Sequence, residues 1–304
     1  MTGMSAQSHS RPADNVTVSP GPLAASTAGP RHPDVRRMLD ARKRPGKRPT
    51  DASVPQGPGH EPGEVVLVEG KWAHRLLLER GAEIETLLWC PEVGTESPGA
   101  TELAPWVARA ARRTYEISGS TLRRVSARNA PDGLVSLVRL PVWDPATVVT
   151  PSDALVLVVD GVNYAGNLGN LIRTADGAGA SAVLVTNPGV NRSHPLVFTA
   201  SRGALLTMPL LEFDTVGAGV DWLAERGFVC LLADPEADQD YAEVDYASES
   251  VAVVVGSEGS GLSAAWSEAP HRAVSIPLSG VVDSLNVGTA AAVMLFEVAR
   301  QRRP

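Results

Sequence analysis

The chain has 304 residues, 43% of them apolar, which suits two compact units or one unit with a long extension. It contains no run of about 18 apolar residues and no apolar leader core in its first 30, so neither a membrane span nor a signal peptide is expected and the chain reads as cytoplasmic. The net charge of −7 is uneven: residues 1–150 hold 19 Lys and Arg against 16 Asp and Glu, residues 151–304 hold 8 against 18, so a polyanion would meet the N-terminal half more readily.

Residues 1–60 are rich in Pro, Gly, Ser and Ala and read as a largely disordered, basic extension. Within it, 31-RHPDVRRMLDARKRPGKR-48 carries eight basic residues against two acidic ones. That stretch reads either as a solvated tail or as a short helix or arm that folds on RNA.

Residues 61–142 alternate strand and helix patterns, with strands over 64–68, 84–90, near Tyr115 and over 134–139, and helices over 71–80, 101–111 and after Ser120. Such alternation predicts a small α/β module. Arg109, Arg112, Arg113, Arg123, Arg124 and Arg128 cluster on what reads as its helices, with Glu116 the single acid among them. RNA phosphate is the natural partner of such a cluster, and an ordinary charged helix face is the alternative.

Residues 143–153, with two prolines, read as a linker. From Ala154 the strands become continuous apolar runs at 154–159, 181–185, 228–233 and 251–255, without polar alternation. Strands of that kind are buried on both faces, so the second unit, 154–304, is expected to be a parallel sheet with helices on each side. Helices are predicted at 167–179, 195–205, 216–226 and 285–302, and the last is apolar nearly all round, as a deeply packed or dimer-seam helix would be. Cys90 and Cys230 follow apolar runs far apart and read as reduced, packed thiols. No CxxC or His/Cys cluster suggests a metal, and no metal is expected.

Three glycine-rich segments sit at the ends of apolar strands, where open α/β sheets carry their ligand loops: 160-DGVNYAGNLGNLIRTADGAGA-180, 252-AVVVGSEGSGLS-263 and 274-VSIPLSGVVDSLNVGTAAAVMLFEVAR-300. Each pairs glycine with polar residues able to touch a ligand: Asn167 and Arg173, then Glu258, then Ser284 and Asn286. The first matches neither the GxGxxG fingerprint nor the P-loop. Arg173 stands in an otherwise apolar helix, where it needs a partner; an exposed pair with Asp176 is the plainer alternative. Ser284 reads equally as the N-cap of the last helix.

In order and content these segments resemble the three signature motifs of the SpoU/TrmH family of RNA ribose 2′-O-methyltransferases, over about residues 154–302. VEGKWAHRLLLERG and NAPDGLVSLV are similar to the start and closing strand of the ribosomal-protein-L30e-like substrate domain of many members. The resemblance implies an α/β fold whose parallel sheet ends in a deep C-terminal trefoil knot (the SPOUT arrangement), S-adenosylmethionine as cofactor and a homodimer. It implies catalytic roles for Arg173, Asn167, Glu258, Ser284 and Asn286, with cofactor contacts from Ala233, Gly256, Ser257, Gly261, Ile276 and Leu285. Arg202, in TASRGALL, joins the six arginines above as an RNA contact, replacing basic residues that many members carry where this chain has Leu196 and Thr199. A second departure is Tyr164-Ala165, where many members read Asp-Pro. The form of the first motif is closest to the thiostrepton-resistance type, which implies 2′-O-methylation of 23S ribosomal RNA and a role in antibiotic resistance. Two rivals stay open: a same-fold methyltransferase of a small molecule, suggested by the acidic C-terminal half, and a non-catalytic RNA-binding factor.

Overall fold

A computed structural model describes residues 23, 25–43, 64–247, 249–257, 259 and 261–303. Its first unit is built from β1 (Ser26–Thr27), α1 (Pro33–Lys43), β2 (Val65–Glu69), α2 (Lys71–Glu79), β3 (Ile84–Trp89), α3 (Pro91–Gly94), α4 (Ala100–Ala110), β4 (Ala111–Glu116), α5 (Gly119–Val125) and β5 (Leu134–Arg139). The sheet order is β1-β4-β3-β5-β2, with β5 antiparallel to both β2 and β3 and β4 parallel to β3. Alternation along β3 sends Leu87 and Trp89 to one face and Leu88 to the other. One face is covered by α2 and α4, the other by α1 and α5.

The N-terminal extension differs from expectation where it is described. Residues 26–27 pair with β4 at the sheet edge, and α1 buries Val35 and Met38 completely in a cluster with Leu67, Leu88, Leu122 and Leu137. The helix signal is Val35, Met38 and Leu39 at i, i+3, i+4, a single short stripe in a polar, proline-flanked context. Electrostatics reinforce the docking. The register shifts against β5 between Ile84 and Thr86, and Glu85 at that bulge accepts from Arg37 (2.6 Å), Arg113 (3.1 Å) and Arg139 (3.4 Å). Burial alone would raise the Glu85 pKa, but the Arg37 hydrogen bond and the surrounding guanidiniums outweigh it and hold the carboxyl below its usual value. Residues 1–22 and 44–63, including Arg44, Lys47 and Arg48 of the basic stretch, lie outside the described residues.

His74, on α2, is fully buried. Its Nδ1–H donates to the Gly70 carbonyl (2.8 Å) and its Nε2 accepts from the Ser136 hydroxyl (2.9 Å), which fits the neutral ring. Burial pushes its pKa from 6.5 down to about 4, against smaller opposing effects of the Gly70 bond and Asp132. The unfolded chain therefore takes up this proton more readily between those values, so the stabilisation is complete above pH 6.5 and is lost as pH falls toward 4. Going from pH 7.5 to 5 should cost about 2 kcal/mol of unfolding free energy through this residue, at roughly 1.4 kcal/mol per pKa unit. Urea titrations at the two pH values should show that loss in the wild type and a flatter dependence in His74→Leu; parallel slopes would refute it.

The second unit comprises β6 (Leu155–Asp160), α6 (Ala165–Ala178), β7 (Ala182–Thr186), α7 (Pro195–Ala200), β8 (Leu210–Phe213), α8 (Val216–Ala224), β9 (Val229–Ala233), β10 (Val251–Val255), β11 (His271–Val274) and α9 (Val287–Gln301). All its pairings are parallel, in the order β11-β9-β10-β6-β7-β8, as the apolar runs predict. The 210–213 strand is additional to the predicted set, because LLEF is short and interrupted by Glu212. Helices α6, α7 and α9 cover one face; α8 and a 3-10 turn carrying the fully buried Trp266 cover the other. The chain runs outward from β6 to β8, then crosses to β9, and β10 returns between β9 and β6. That reversal leaves a crevice beyond the carboxyl ends of β6 and β10, the usual ligand position in open α/β sheets.

The two units share one continuous apolar core through α2, α4, α6 and α7. Arg192 donates to Glu64 (2.8 Å), and the Arg202 guanidinium lies 3.8 Å from the Trp72 ring centroid. Cys90 and Cys230 are buried free thiols, and burial pushes Cys230 up to about 11. Among the described residues no helix is long and apolar enough to cross a membrane.

Candidate functional site

Three loops close the crevice. The turn after β9 brings Ala233 and Asp234, the loop after β10 brings Gly256, Ser257 and Gly261, and the segment after β11 brings Ile276 and then Ser284 and Leu285 ahead of α9. Together they line a cavity of about 180 Å³. All six residues expected to touch a cofactor, Ala233, Gly256, Ser257, Gly261, Ile276 and Leu285, meet in it. The walls are apolar at Ile276, Leu278, Leu285 and Val287 and carry the Asp234 carboxylate, which suits an aromatic heterocycle joined to a cationic group.

The middle loop is tightly folded. Ser257 and Gly261 exchange backbone hydrogen bonds of 3.1 and 3.0 Å. A Cβ on Gly256 would stand 2.3 Å from the Gly261 carbonyl, so only glycine fits there. Glu258, expected among the catalytic residues, lies outside the described residues.

The loop's far end is fastened by a residue absent from the expected site. Asp160, 1% exposed at the end of β6, accepts four hydrogen bonds: Thr186 Oγ1 (2.9 Å), Asn187 Nδ2 (2.9 Å), Ser263 N–H (2.8 Å) and Ser263 Oγ (2.5 Å). Asn187 also donates to Ser263 Oγ at 3.1 Å. One carboxylate thus ties the ends of β6 and β7 to the close of the β10 loop. The available signal is an acid ending a wholly apolar buried strand, which is costly unless hydrogen-bonded.

A second cavity, about 440 Å³, adjoins the first and shares Ser257 and Val287 with it. Val162, Asn163, Tyr164 and Asn167 complete its lining, together with Gly259. Asn167 thus faces the same crevice as the motif loops. Arg173 lies six residues further along α6, about 9 Å along its axis. It is exposed, and no ion pair with Asp176 forms among the described residues. It shares a helix face with Asn170 and Gly177, which approach Gly288 and Phe296 of α9.

Two expectations are corrected. Ser284 is not the cap of α9: it is exposed, and its hydroxyl donates to Asp283 at 3.4 Å. Asn286 is the cap, its Oδ1 accepting the Gly288 N–H at 3.0 Å. The arginine cluster is also only half helical. Arg112 and Arg113 are on β4, where Arg112 pairs with Glu83 and Arg113 with Asp34 (3.3 Å) and Glu85 (3.1 Å). Arg128, in the loop after α5, pairs with Asp132 at 3.0 Å. Arg109 on α4 and Arg123 and Arg124 on α5 are exposed and form no ion pair among the described residues. Docking of α1 brings Arg42 to the backbone carbonyl of Arg124. Arg202 adopts φ 54°, ending α7 in the left-handed region while its guanidinium covers Trp72.

Comparison with known proteins gives a consistent set. The model of the SpoU rRNA Methylase family matches residues 154–296. A 23S rRNA (uridine(2479)-2′-O)-methyltransferase of Streptomyces viridochromogenes is 30% identical over 78% of this chain and 83% of its own length. A 23S rRNA (guanosine-2′-O-)-methyltransferase, RlmB of Bordetella pertussis, is 34% identical over 64% of this chain and 81% of its own. Among solved structures, the SpoU methyltransferase AviRb of Streptomyces viridochromogenes in complex with the cofactor AdoMet superposes with a TM-score of 0.72 at 26% identity, over 90% of this chain and 98% of that one.

Proposed function

We infer that this chain, which belongs to the SpoU rRNA methylase family, is an S-adenosylmethionine-dependent RNA 2′-O-methyltransferase whose substrate is large-subunit ribosomal RNA. The observation that carries the reading is the convergence of three sequence-distant loops on one cavity at the switch point of the parallel sheet, with the Asn167 cavity beside it.

Bound in the first cavity, S-adenosylmethionine supplies an electrophilic methyl on a sulfonium. Ala233, Gly256, Ser257, Gly261, Ile276 and Leu285 would hold it, and Asp234, which also lines the cavity, would favour its positive charge. Asn167 lines the second cavity and Ser284 the first, and with Asn286, Arg173 and Glu258 they make up the reacting set. Arginine stays protonated in proteins, so Arg173 acts by holding phosphate and hydroxyl in line with the methyl, and the 2′-hydroxyl proton departs late to solvent. The first unit serves as the RNA-gripping L30e-like module, and the family's knotted arrangement is the expected path of the β11–α9 segment. A second copy covers α9, where Phe296 is 43% exposed and the preceding loop bares Val281 and Val282. The reading puts the protein in the cytoplasm with ribosomes, and the likeness to the resistance type makes protection against a ribosome-directed antibiotic its purpose.

Labelled methyl transfer from S-adenosylmethionine to total RNA, separated into large ribosomal, small ribosomal and transfer fractions, tests the reading; label confined to the large ribosomal fraction is expected. No label, with the cofactor still bound, would favour a small-molecule acceptor. Replacing Arg109, Arg123 and Arg124 together by alanine should weaken RNA binding and reduce the salt slope by about 2–3, near 0.9 for each phosphate no longer neutralised. Replacing the ion-paired Arg112, Arg113 and Arg128 instead should act on stability more than on that slope. Equal slopes for the first triple variant and the wild type would remove α4 and α5 from the RNA interface.

A further inference from the structure

We propose that the second cavity is the subsite for the base of the acceptor nucleotide, with Tyr164 as its stacking floor; this rests on the RNA methyltransferase reading. Tyr164 occupies the N-cap position of α6 yet caps nothing with its side chain. Its ring folds back along the first turn of that helix: a Cβ on Gly166 would stand 2.6 Å from Tyr164 Cε1 and 3.1 Å from Cζ. Any side chain at 166 would displace the ring, so the glycine seats it. The residue is nevertheless 61% exposed, in a chain with only 5% aromatic residues.

The ring's surroundings are those of a polar ligand site. Asn163 and Asn167 flank it with amide donors and acceptors, and Asn163 is lodged against the Gly189 backbone, where a Cβ would meet its Oδ1 at 1.9 Å. The cavity's volume, about 440 Å³, falls within the range of about 300–1,000 Å³ typical of small-molecule sites. Ser257 and Val287 wall both cavities, so a ribose between them has the methyl donor on one side and its own base on the other. Enzymes acting on structured RNA take the target nucleotide out of its stack, and an aromatic face that recovers the lost stacking is what such a step requires.

The test compares wild type, Tyr164→Phe and Tyr164→Ala in methyl transfer to ribosomal RNA, with S-adenosylmethionine affinity by calorimetry and mass in solution. Tyr164→Ala should lose about 10- to 100-fold in kcat/KM for RNA, the scale of one base–aromatic stack, while Phe retains activity within about 3-fold. Cofactor affinity and oligomeric mass should be unchanged in both. RNA lacking the base at the mapped nucleotide should slow the wild type by the same factor and Tyr164→Ala no further. Full activity of Tyr164→Ala, independent multiplication of the two losses, or a change in oligomeric mass would overturn the subsite. Wild type transferring no methyl to RNA, read before any variant, would instead bring down the underlying reading and the subsite with it.

Discussion

Arg173→Ala is expected to lower the turnover of methyl transfer by about 100-fold or more, the scale of losing one positioning or charge-stabilising group, with little change in cofactor affinity. Stability should shift by less than about 0.5 kcal/mol, because the side chain is exposed and makes no ion pair among the described residues. Arg173→Lys separates charge from geometry: it keeps the cation but loses the planar fork that grips phosphate in two places. A positioning role predicts that Lys recovers only part of the loss and that both variants keep the pH profile of the wild type. A base role predicts a profile that changes shape on substitution. Wild-type turnover in Arg173→Ala would remove this residue from the chemistry and favour the non-catalytic reading.

Asp160→Ala should destabilise the protein by about 3–5 kcal/mol, the range for removing one partner from a buried charged network. The carboxylate is 1% exposed and serves four donors, all of which would face a cavity in the variant. Asp160→Asn is the sharper probe. It keeps the shape but presents an amide donor to groups that are themselves donors, so it should loosen the Ser263 end of the β10 loop more than the core. Cofactor affinity should therefore fall for Asp160→Asn under conditions where urea unfolding still shows a cooperative transition. Ser263→Ala, which removes one hydroxyl at the same point, should give a smaller loss in the same direction. If Asp160→Asn bound S-adenosylmethionine like the wild type, the carboxylate would be a structural tie with no influence on the cofactor cavity.

The two variants act through different kinds of information. Arg173 is recognisable from its motif spacing and needs no partner to be noticed. Asp160 reads in the sequence only as a turn residue before Gly161. Its importance comes from Thr186, Asn187 and Ser263, which are 26 to 103 positions away. The same contrast divides the arginines. Their clustering is visible along the chain, but Glu83, Glu85, Asp34 and Asp132 neutralise three of the six, and the side chains that meet across β3, β4 and α1 cannot be paired by inspection.

By itself the sequence determined the parallel character of the second sheet, the positions of most helices and the glycine-rich loops at the strand ends, while the six cofactor residues found in the first cavity came from the family resemblance. These features depend on local quantities: unbroken apolar runs mark strands buried on both faces, helical periodicity marks one covered face, and glycine marks backbone that must turn or be approached closely. Tertiary structure alone decided the insertion of β10 between β9 and β6, the docking of β1 and α1, the capping of α9 by Asn286 and the acceptor role of Asp160. Apolar patterning reports that a face is buried but carries no record of what buries it. Hydrogen bonds and ion pairs depend on ångström-scale distances between residues that only the folded chain brings together.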